Sequence, residues 1–97
     1  MIGRLILDTH NHQVLAEGQP IFLSAREYGV LEILLMQAGK VVTKDRIAQR
    51  LSADGDALTD NAIEIYVHRL RKRIEPYDAV IRTVRGLGYL LEKSADE

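Results

Sequence analysis

The fold of this 97-residue chain is decided by the stretch Asp60-Asn-Ala-Ile-Glu-Ile-Tyr-Val-His-Arg-Leu-Arg-Lys-Arg-Ile74. With residues about 100° apart around a helix axis, the large aliphatic side chains fall within an arc of about 60°, and these are Ile63, Val67, Leu70 and Ile74. The opposite arc, about 100° wide, holds Asn61, Ile65, His68, Arg69 and Lys72. The pattern predicts a helix over residues 60–74 with one buried face and one outward face.

The outward arc carries the chemistry that reads base edges in a DNA major groove. Arginine can bridge guanine O6 and N7, asparagine suits adenine, and an aliphatic side chain can touch a thymine methyl. We therefore interpret the five outward side chains as candidate base contacts and the flanking Arg71 and Arg73 as candidate phosphate contacts. An ordinary solvated amphipathic helix remains the alternative for this segment taken by itself.

The segment that follows the helix favours the DNA-reading alternative. Thr83-Val-Arg-Gly-Leu-Gly-Tyr89 reads as a hairpin turn between strands predicted over residues 80–84 and 89–92, with Arg85 at its tip. The glycines at 86 and 88 permit a tight turn and a close approach to another surface. A tip arginine can enter a minor groove, while Thr83 and Tyr89 can bond phosphates or sugars.

The first half of the chain predicts a small sheet and two more helices. Residues 4–8, 13–16 and 20–23 read as an antiparallel meander. Ser24-Ala-Arg-Glu27 matches a capping box, which predicts a first helix over residues 25–38. Thr43 caps a second helix over 44–51, and Ser52 to Leu58 form a loop. Strands at both ends with helices between them predict an α+β fold.

The net charge of −1 hides a polarised distribution. Residues 68–85 contain six basic and two acidic side chains, whereas the remainder contains seven basic and twelve acidic ones. A basic end on an acidic body orients a protein toward a polyanion.

Four consecutive motifs together resemble the effector domains of bacterial OmpR/PhoB-type response regulators. They are Leu23-Ser-Ala-Arg-Glu-Tyr28, Val42-Thr-Lys-Asp-Arg-Ile47, the helical segment from Asn61 to Arg73, and Thr83 to Tyr89. The resemblance covers residues 3–92 and implies a winged helix-turn-helix with a four-stranded N-terminal antiparallel sheet, three helices and a C-terminal hairpin wing. Val41-Val42 would then be the fourth strand, and residues 93–97 a polar tail of a single domain over 1–97.

The resemblance also implies roles for individual residues. Arg69 stands where the family has a base-contacting arginine, and Arg85 where it has the wing arginine, while Thr83 and Tyr89 match wing positions that touch the DNA backbone. Many relatives carry arginine where Asn61 stands and a bulky aromatic residue in the loop before the third helix. The loop of this chain has no aromatic residue, so DNA contacts through it are not expected.

Several partners follow from the same resemblance. The domain is expected to be monomeric when free and to form a head-to-tail dimer on direct repeats in double-stranded DNA. A receiver domain, served by a cognate histidine kinase, would precede residue 1 and carry the phosphoacceptor aspartate. In relatives that activate transcription the loop before the third helix contacts RNA polymerase, which makes Asp54 and Asp56 candidate contacts. The alternative is a solvated loop whose charges keep the turn away from the DNA backbone.

Other classes of function find little support. His10 and His12 have no third metal ligand nearby. In a calcium loop counted from Asp54, Thr59 stands where glycine is needed and Ile65 where glutamate is needed, so neither a metal nor a cofactor is expected. No nucleophile and base pair convincingly, which argues against an enzyme. No cysteine and no long apolar run occur, and we expect a cytoplasmic protein without a membrane segment. A winged helix used only for protein contacts remains the second alternative.

Overall fold

The computed structural model describes residues 2–51 and 60–94. The elements are, in chain order, β1 (Leu5–Asp8), β2 (Gln13–Ala16), β3 (Gln19–Pro20), α1 (Ala25–Met36), β4 (Val42–Thr43), α2 (Lys44–Leu51), α3 (Asp60–Ile74), a single 3-10 turn (Glu75–Tyr77), β5 (Ala79–Val84) and β6 (Gly88–Lys93). The predicted α+β class and the order of elements are confirmed. No helix in the described ranges is long and apolar enough to cross a membrane.

The N-terminal sheet has three antiparallel strands in the order β1-β2-β3. The third strand is shorter than residues 20–23, which were predicted, because pairing with β2 stops after Pro20. One further bond, from the Ile21 amide to the Val14 carbonyl at 2.9 Å, continues the ladder. The chain then leaves the sheet so that Ser24 can adopt the extended conformation of a helix N-cap, with φ −68° and ψ 165°.

The expected fourth strand of this sheet belongs elsewhere, so the prediction of a four-stranded N-terminal sheet is wrong. Val42 pairs with Tyr89 and Thr43 pairs with Gly88, which gives a second sheet in the order β4-β6-β5. A glycine is needed at this crossing, because a Cβ on Gly88 would lie 2.0 Å from the Val42 carbonyl oxygen. The close approach fixes the start of α2 beside the C-terminal hairpin.

The first helix begins as predicted and ends two residues earlier. Ser24 accepts a hydrogen bond from the Glu27 amide at 3.2 Å, and the Glu27 carboxylate accepts one from the Ser24 amide at 3.0 Å, so the capping box is confirmed. The helix stops at Met36, with Gln37 as its C-cap, whereas residues 37 and 38 were expected to belong to it. Gly39 follows in the left-handed region at φ +81°.

A buried polar network joins α1 to α2. The Tyr28 hydroxyl donates to the Glu32 carboxylate at 3.0 Å, and Arg50 Nε donates to the same carboxylate at 2.9 Å. Burial, together with that carboxylate, raises the pKa of Tyr28 to about 12. The phenol therefore remains a donor, and the buried Glu32 charge is compensated from both sides.

The aliphatic arc of α3 lies in the centre of the core. Ile63, Leu70 and Ile74 are fully buried, and Val67 is almost so. Apolar residues of the other helices join them, namely Tyr28, Leu31, Leu34, Leu35, Ile47 and Leu51, while Ala48 is half-buried. Because one arc of α3 is committed to the core, the orientation of its opposite arc is fixed.

Candidate nucleic-acid interface

The outward face of α3 has the composition and exposure expected from the sequence. All five predicted base contacts are exposed to solvent, and these are Asn61, Ile65, His68, Arg69 and Lys72. Ile65 leaves 44% of its surface exposed although it is a large aliphatic residue. Exposure of a large aliphatic side chain to water is energetically unfavourable. Ile65 is nevertheless exposed among polar neighbours on the same face.

The polar side chains on this face make no polar contacts of their own with the part of the chain that the structure describes. Among residues 2–51 and 60–94, no hydrogen bond or ion pair engages the side chains of Asn61, His68, Arg69 or Lys72. Their donors and acceptors are therefore available to a partner outside the chain. The two cations give this free face a positive charge.

The two arginines that flank this face are used within the domain. Arg71 donates from Nε to the Ile81 carbonyl at 3.0 Å and from Nη2 to the Thr83 hydroxyl at 2.7 Å. Arg73 donates from Nη1 to the Phe22 carbonyl at 2.7 Å, and its Nε lies 3.8 Å from the Glu27 carboxylate. The structure thus brings Arg71 to the hairpin and Arg73 to the segment before α1, two roles that the sequence did not indicate.

The hairpin presents Arg85 at an exposed tip. β5 and β6 pair from Ala79↔Lys93 to Val84↔Gly88, which leaves a three-residue loop. The Leu87 amide donates to the Val84 carbonyl at 3.0 Å, and Gly86 takes φ +77°, a conformation that other residues rarely adopt. The side chain of Leu87, which the sequence analysis did not single out, is 58% exposed beside Arg85.

The two remaining hairpin candidates differ in their surroundings. Thr83 is exposed, although its hydroxyl already accepts a bond from Arg71. Tyr89 is only 3% exposed and belongs to the core cluster, next to Val42 in the β4–β6 pairing. Tyr89 therefore offers little surface to an external partner.

The start of α2 is a part of this surface that sequence reasoning missed. Thr43, Lys44 and Asp45 line a cleft of about 440 Å³ together with Gly86 and Leu87 of the hairpin tip. Thr43 Oγ1 accepts a hydrogen bond from the Arg46 amide at 3.2 Å, which confirms it as the cap of α2. A cationic residue directly after a cap, as Lys44 is here, was the available signal, because helix N-termini attract anions.

Two other groups of candidates need separate mention. Asp54 and Asp56 lie outside the described residues. His10 and His12 lie in the turn between β1 and β2, and the described residues hold no group of three or more side chains that could bind a metal ion. The ring of His12 instead packs edge-on against Tyr28, with centroids 5.8 Å apart.

Comparison with known proteins places this geometry among transcriptional regulators. The family model described as "Transcriptional regulatory protein, C terminal" matches residues 18–91. The swarming motility regulation protein RssB of Serratia marcescens is 46% identical over 92 residues, which are 95% of this chain and 41% of that protein. The chain thus spans about two fifths of the length of this curated relative.

Solved structures show the same architecture. The DNA-binding domain of CpxR from E. coli superposes with a TM-score of 0.81 at 27% identity, covering 98% of this chain and 96% of that one. The RstA DNA-binding domain of Klebsiella pneumoniae, solved in complex with the RstA box, gives a TM-score of 0.75 at 28% identity, with coverages of 95% and 94%. Both likenesses extend over nearly the whole of this chain.

Proposed function

The chain belongs to the family of C-terminal domains of transcriptional regulatory proteins, the winged-helix effector domains of OmpR/PhoB-type response regulators, and from this premise we propose that it binds double-stranded DNA sequence-specifically. In this proposal α3 lies in the major groove and the β5–β6 hairpin, the wing, reaches the minor groove. Base contacts come from the outward face of α3, and Arg85 supplies the contact at the wing. Thr83 and Lys44 contact the sugar-phosphate backbone, and Tyr89 adds only the small part of its surface that the core leaves exposed. Arg71 and Arg73 supplement these contacts with the donors that they do not use internally.

One observation carries the proposal. Arg69, Lys72 and Arg85 are exposed cations without a partner among the described residues, and they occur on the helix face and the hairpin tip that the core leaves free. An exposed cation that is unpaired at a fixed position favours a polyanion over a neutral partner. The relative solved on its DNA box has the same architecture, which supports the same use here.

Binding to random duplex DNA at two salt concentrations tests this function against a domain used only for protein contacts. Each neutralised phosphate contributes a slope of about −0.9 in log affinity against log salt. With roughly five phosphates contacted, affinity should fall about several hundredfold between 50 and 200 mM salt. No measurable binding at the lower concentration would favour protein contacts instead.

Arg85→Ala should weaken DNA binding without unfolding the domain, because the side chain lies at an exposed tip outside the core. A narrow minor groove has an enhanced negative potential that attracts arginine. Gel-shift titrations should therefore show that the wild-type preference for A·T-rich over G·C-rich flanks is lost in the variant. If neither protein distinguishes the flanks, the minor-groove assignment is wrong.

The assembly on DNA is expected to be a head-to-tail pair on direct repeats, with half-sites about one helical turn apart so that both copies face the same side. The free domain should sediment as a monomer, and a titrated gel shift should show two successive bound species. A stable dimer in the absence of DNA, or a requirement for inverted repeats, would contradict this arrangement.

The loop that joins α2 to α3 is proposed to contact RNA polymerase through Asp54 and Asp56. Their negative charge disfavours a role against phosphate. The double variant Asp54→Asn, Asp56→Asn should keep DNA affinity equal or slightly higher, while activated transcription in a purified system falls. Unchanged transcription at saturating protein would leave the loop as a spacer only.

We propose that a receiver domain before residue 1 controls this domain, as in the family, and that a histidine kinase phosphorylates that receiver domain. The support is the length of the curated relative, of which this chain matches 41%. Its action on the chromosome would place the protein in the bacterial cytoplasm.

A further inference from the structure

A single guanidinium connects the proposed reading helix to the proposed wing. Arg71 extends from α3 and donates to two acceptors on β5, the Ile81 carbonyl at 3.0 Å and the Thr83 hydroxyl at 2.7 Å. The two acceptors belong to residues two apart in one strand, and both lie within hydrogen-bond distance of the same guanidinium. The rigid, planar fork of an arginine is pre-organised to span such a pair, whereas a lysine ammonium is a point charge on a flexible stem.

The contact is made where β5 leaves the core, so it can control the direction of the wing. β5 is an edge strand, since the sheet order is β4-β6-β5, and an edge strand leaves a row of carbonyls without a strand neighbour. Ile81 is buried in the core, Thr83 is exposed, and the tip residue Arg85 follows two residues later. Arg71 therefore holds β5 at the point where the strand leaves the core.

We propose that Arg71 is a positioning residue that fixes the wing against α3, so that Arg85 and Arg69 meet their two grooves together. The inference rests on the proposed function and adds the contact that couples α3 to the wing. The neighbouring cations do not share this geometry. Lys72 on α3 has no partner among the described residues, and Arg82 on β5 pairs with Glu92 of β6.

A double-mutant cycle between Arg71→Ala and Arg85→Ala tests the coupling. Dissociation constants are measured on a site selected by the unaltered domain. If Arg71 sets the position of the wing, the penalty of Arg85→Ala should shrink about threefold or more in the Arg71→Ala background, as residues coupled through a shared structure do. Arg82→Ala is the matched control, because it removes one positive charge from β5 and should leave the Arg85→Ala penalty unchanged.

Arg71→Lys separates positioning from a contact of Arg71 with phosphate. The lysine keeps the charge and loses the fork, so it should reduce the Arg85→Ala penalty as much as alanine does. A phosphate contact without any positioning role predicts the reverse: in the Arg71→Lys background the Arg85→Ala penalty stays as in the unaltered domain, and Arg71→Ala only lowers the salt slope by about one contact. That result, or additive penalties for Arg71→Ala and Arg85→Ala, would overturn the positioning role.

The free protein provides a readout that does not require DNA. Amide exchange along β5 should become faster in Arg71→Ala and Arg71→Lys and stay unchanged in Arg82→Ala, with thermal unfolding confirming that each variant is folded. Unchanged exchange in both Arg71 variants would also overturn the inference. Failure of the unaltered domain to bind any duplex would overturn the proposed function itself, whereas additive penalties with intact binding overturn only the role of Arg71.

Discussion

Leu70→Ala is expected to lower the free energy of unfolding by about 2–5 kcal/mol, the range for truncating a buried leucine. The side chain is fully buried in the middle of the aliphatic arc of α3. Its removal costs the transfer free energy of the lost methyl groups and leaves a cavity that the neighbouring helices can only partly fill. Against a total stability of about 5–15 kcal/mol for a small domain, the loss should be plain in urea unfolding followed by circular dichroism.

The outward face of the same helix supplies the control. Lys72→Ala changes an exposed residue two positions away and should alter stability by less than about 0.5 kcal/mol. If the two substitutions cost the same, α3 would not be oriented as described, and the assignment of its outward arc would fail with it.

Arg69→Ala is expected to lose about 1–3 kcal/mol of binding free energy on the best DNA site, which is about 5- to 150-fold in the dissociation constant. The Arg69 guanidinium is exposed and has no partner among residues 2–51 and 60–94, so both edges of its fork can face a guanine. On random DNA the change should be small, because base-edge contacts add little where no matching base is present. Parallel titrations of the two DNAs measure the difference.

Arg82→Ala is a matched control for the charge. It removes the same charge from an exposed position that is already paired with Glu92, and it should weaken binding to both DNAs slightly and equally. Equal losses on the two DNAs for Arg69→Ala would show that Arg69 contacts phosphate rather than bases.

Local patterns predicted most of the helical framework correctly. The capping box at Ser24 and Glu27 involves residues three apart, and the buried arc of α3 follows from helical periodicity alone. Both features depend on spacing along the chain, which the sequence contains directly. The exposure of the outward arc follows as the complement of the buried one.

Features that depend on distant partners were predicted less well. A two-residue strand such as β4 has no periodicity to show which sheet it joins, and its partner Gly88 lies more than forty residues away. Helical periodicity likewise predicts the direction in which the side chains of Arg71 and Arg73 point, but not the groups that they contact. Their acceptors, 10 and 51 residues distant, become visible only when the strands are in place.

The burial of Tyr89 illustrates the same limit. Its neighbours Leu87 and Gly88 suggest a loop, yet Tyr89 is the second residue of β6 and pairs with Val42 on one side and Thr83 on the other. Alternation along the strand, which then buries Leu91 as well, was the signal that favours an inward ring.

Sequence-specific reading of duplex DNA is tested most directly by a comparison of two duplexes of equal length and composition. One is the site that the unaltered domain selects from a random library, and the other is the same site with its bases shuffled. At physiological salt the selected site should bind about 10³-fold more tightly, the lower end of the range for specific recognition. Equal affinity for the two duplexes would contradict the account, because it would leave α3 with contacts to phosphate alone.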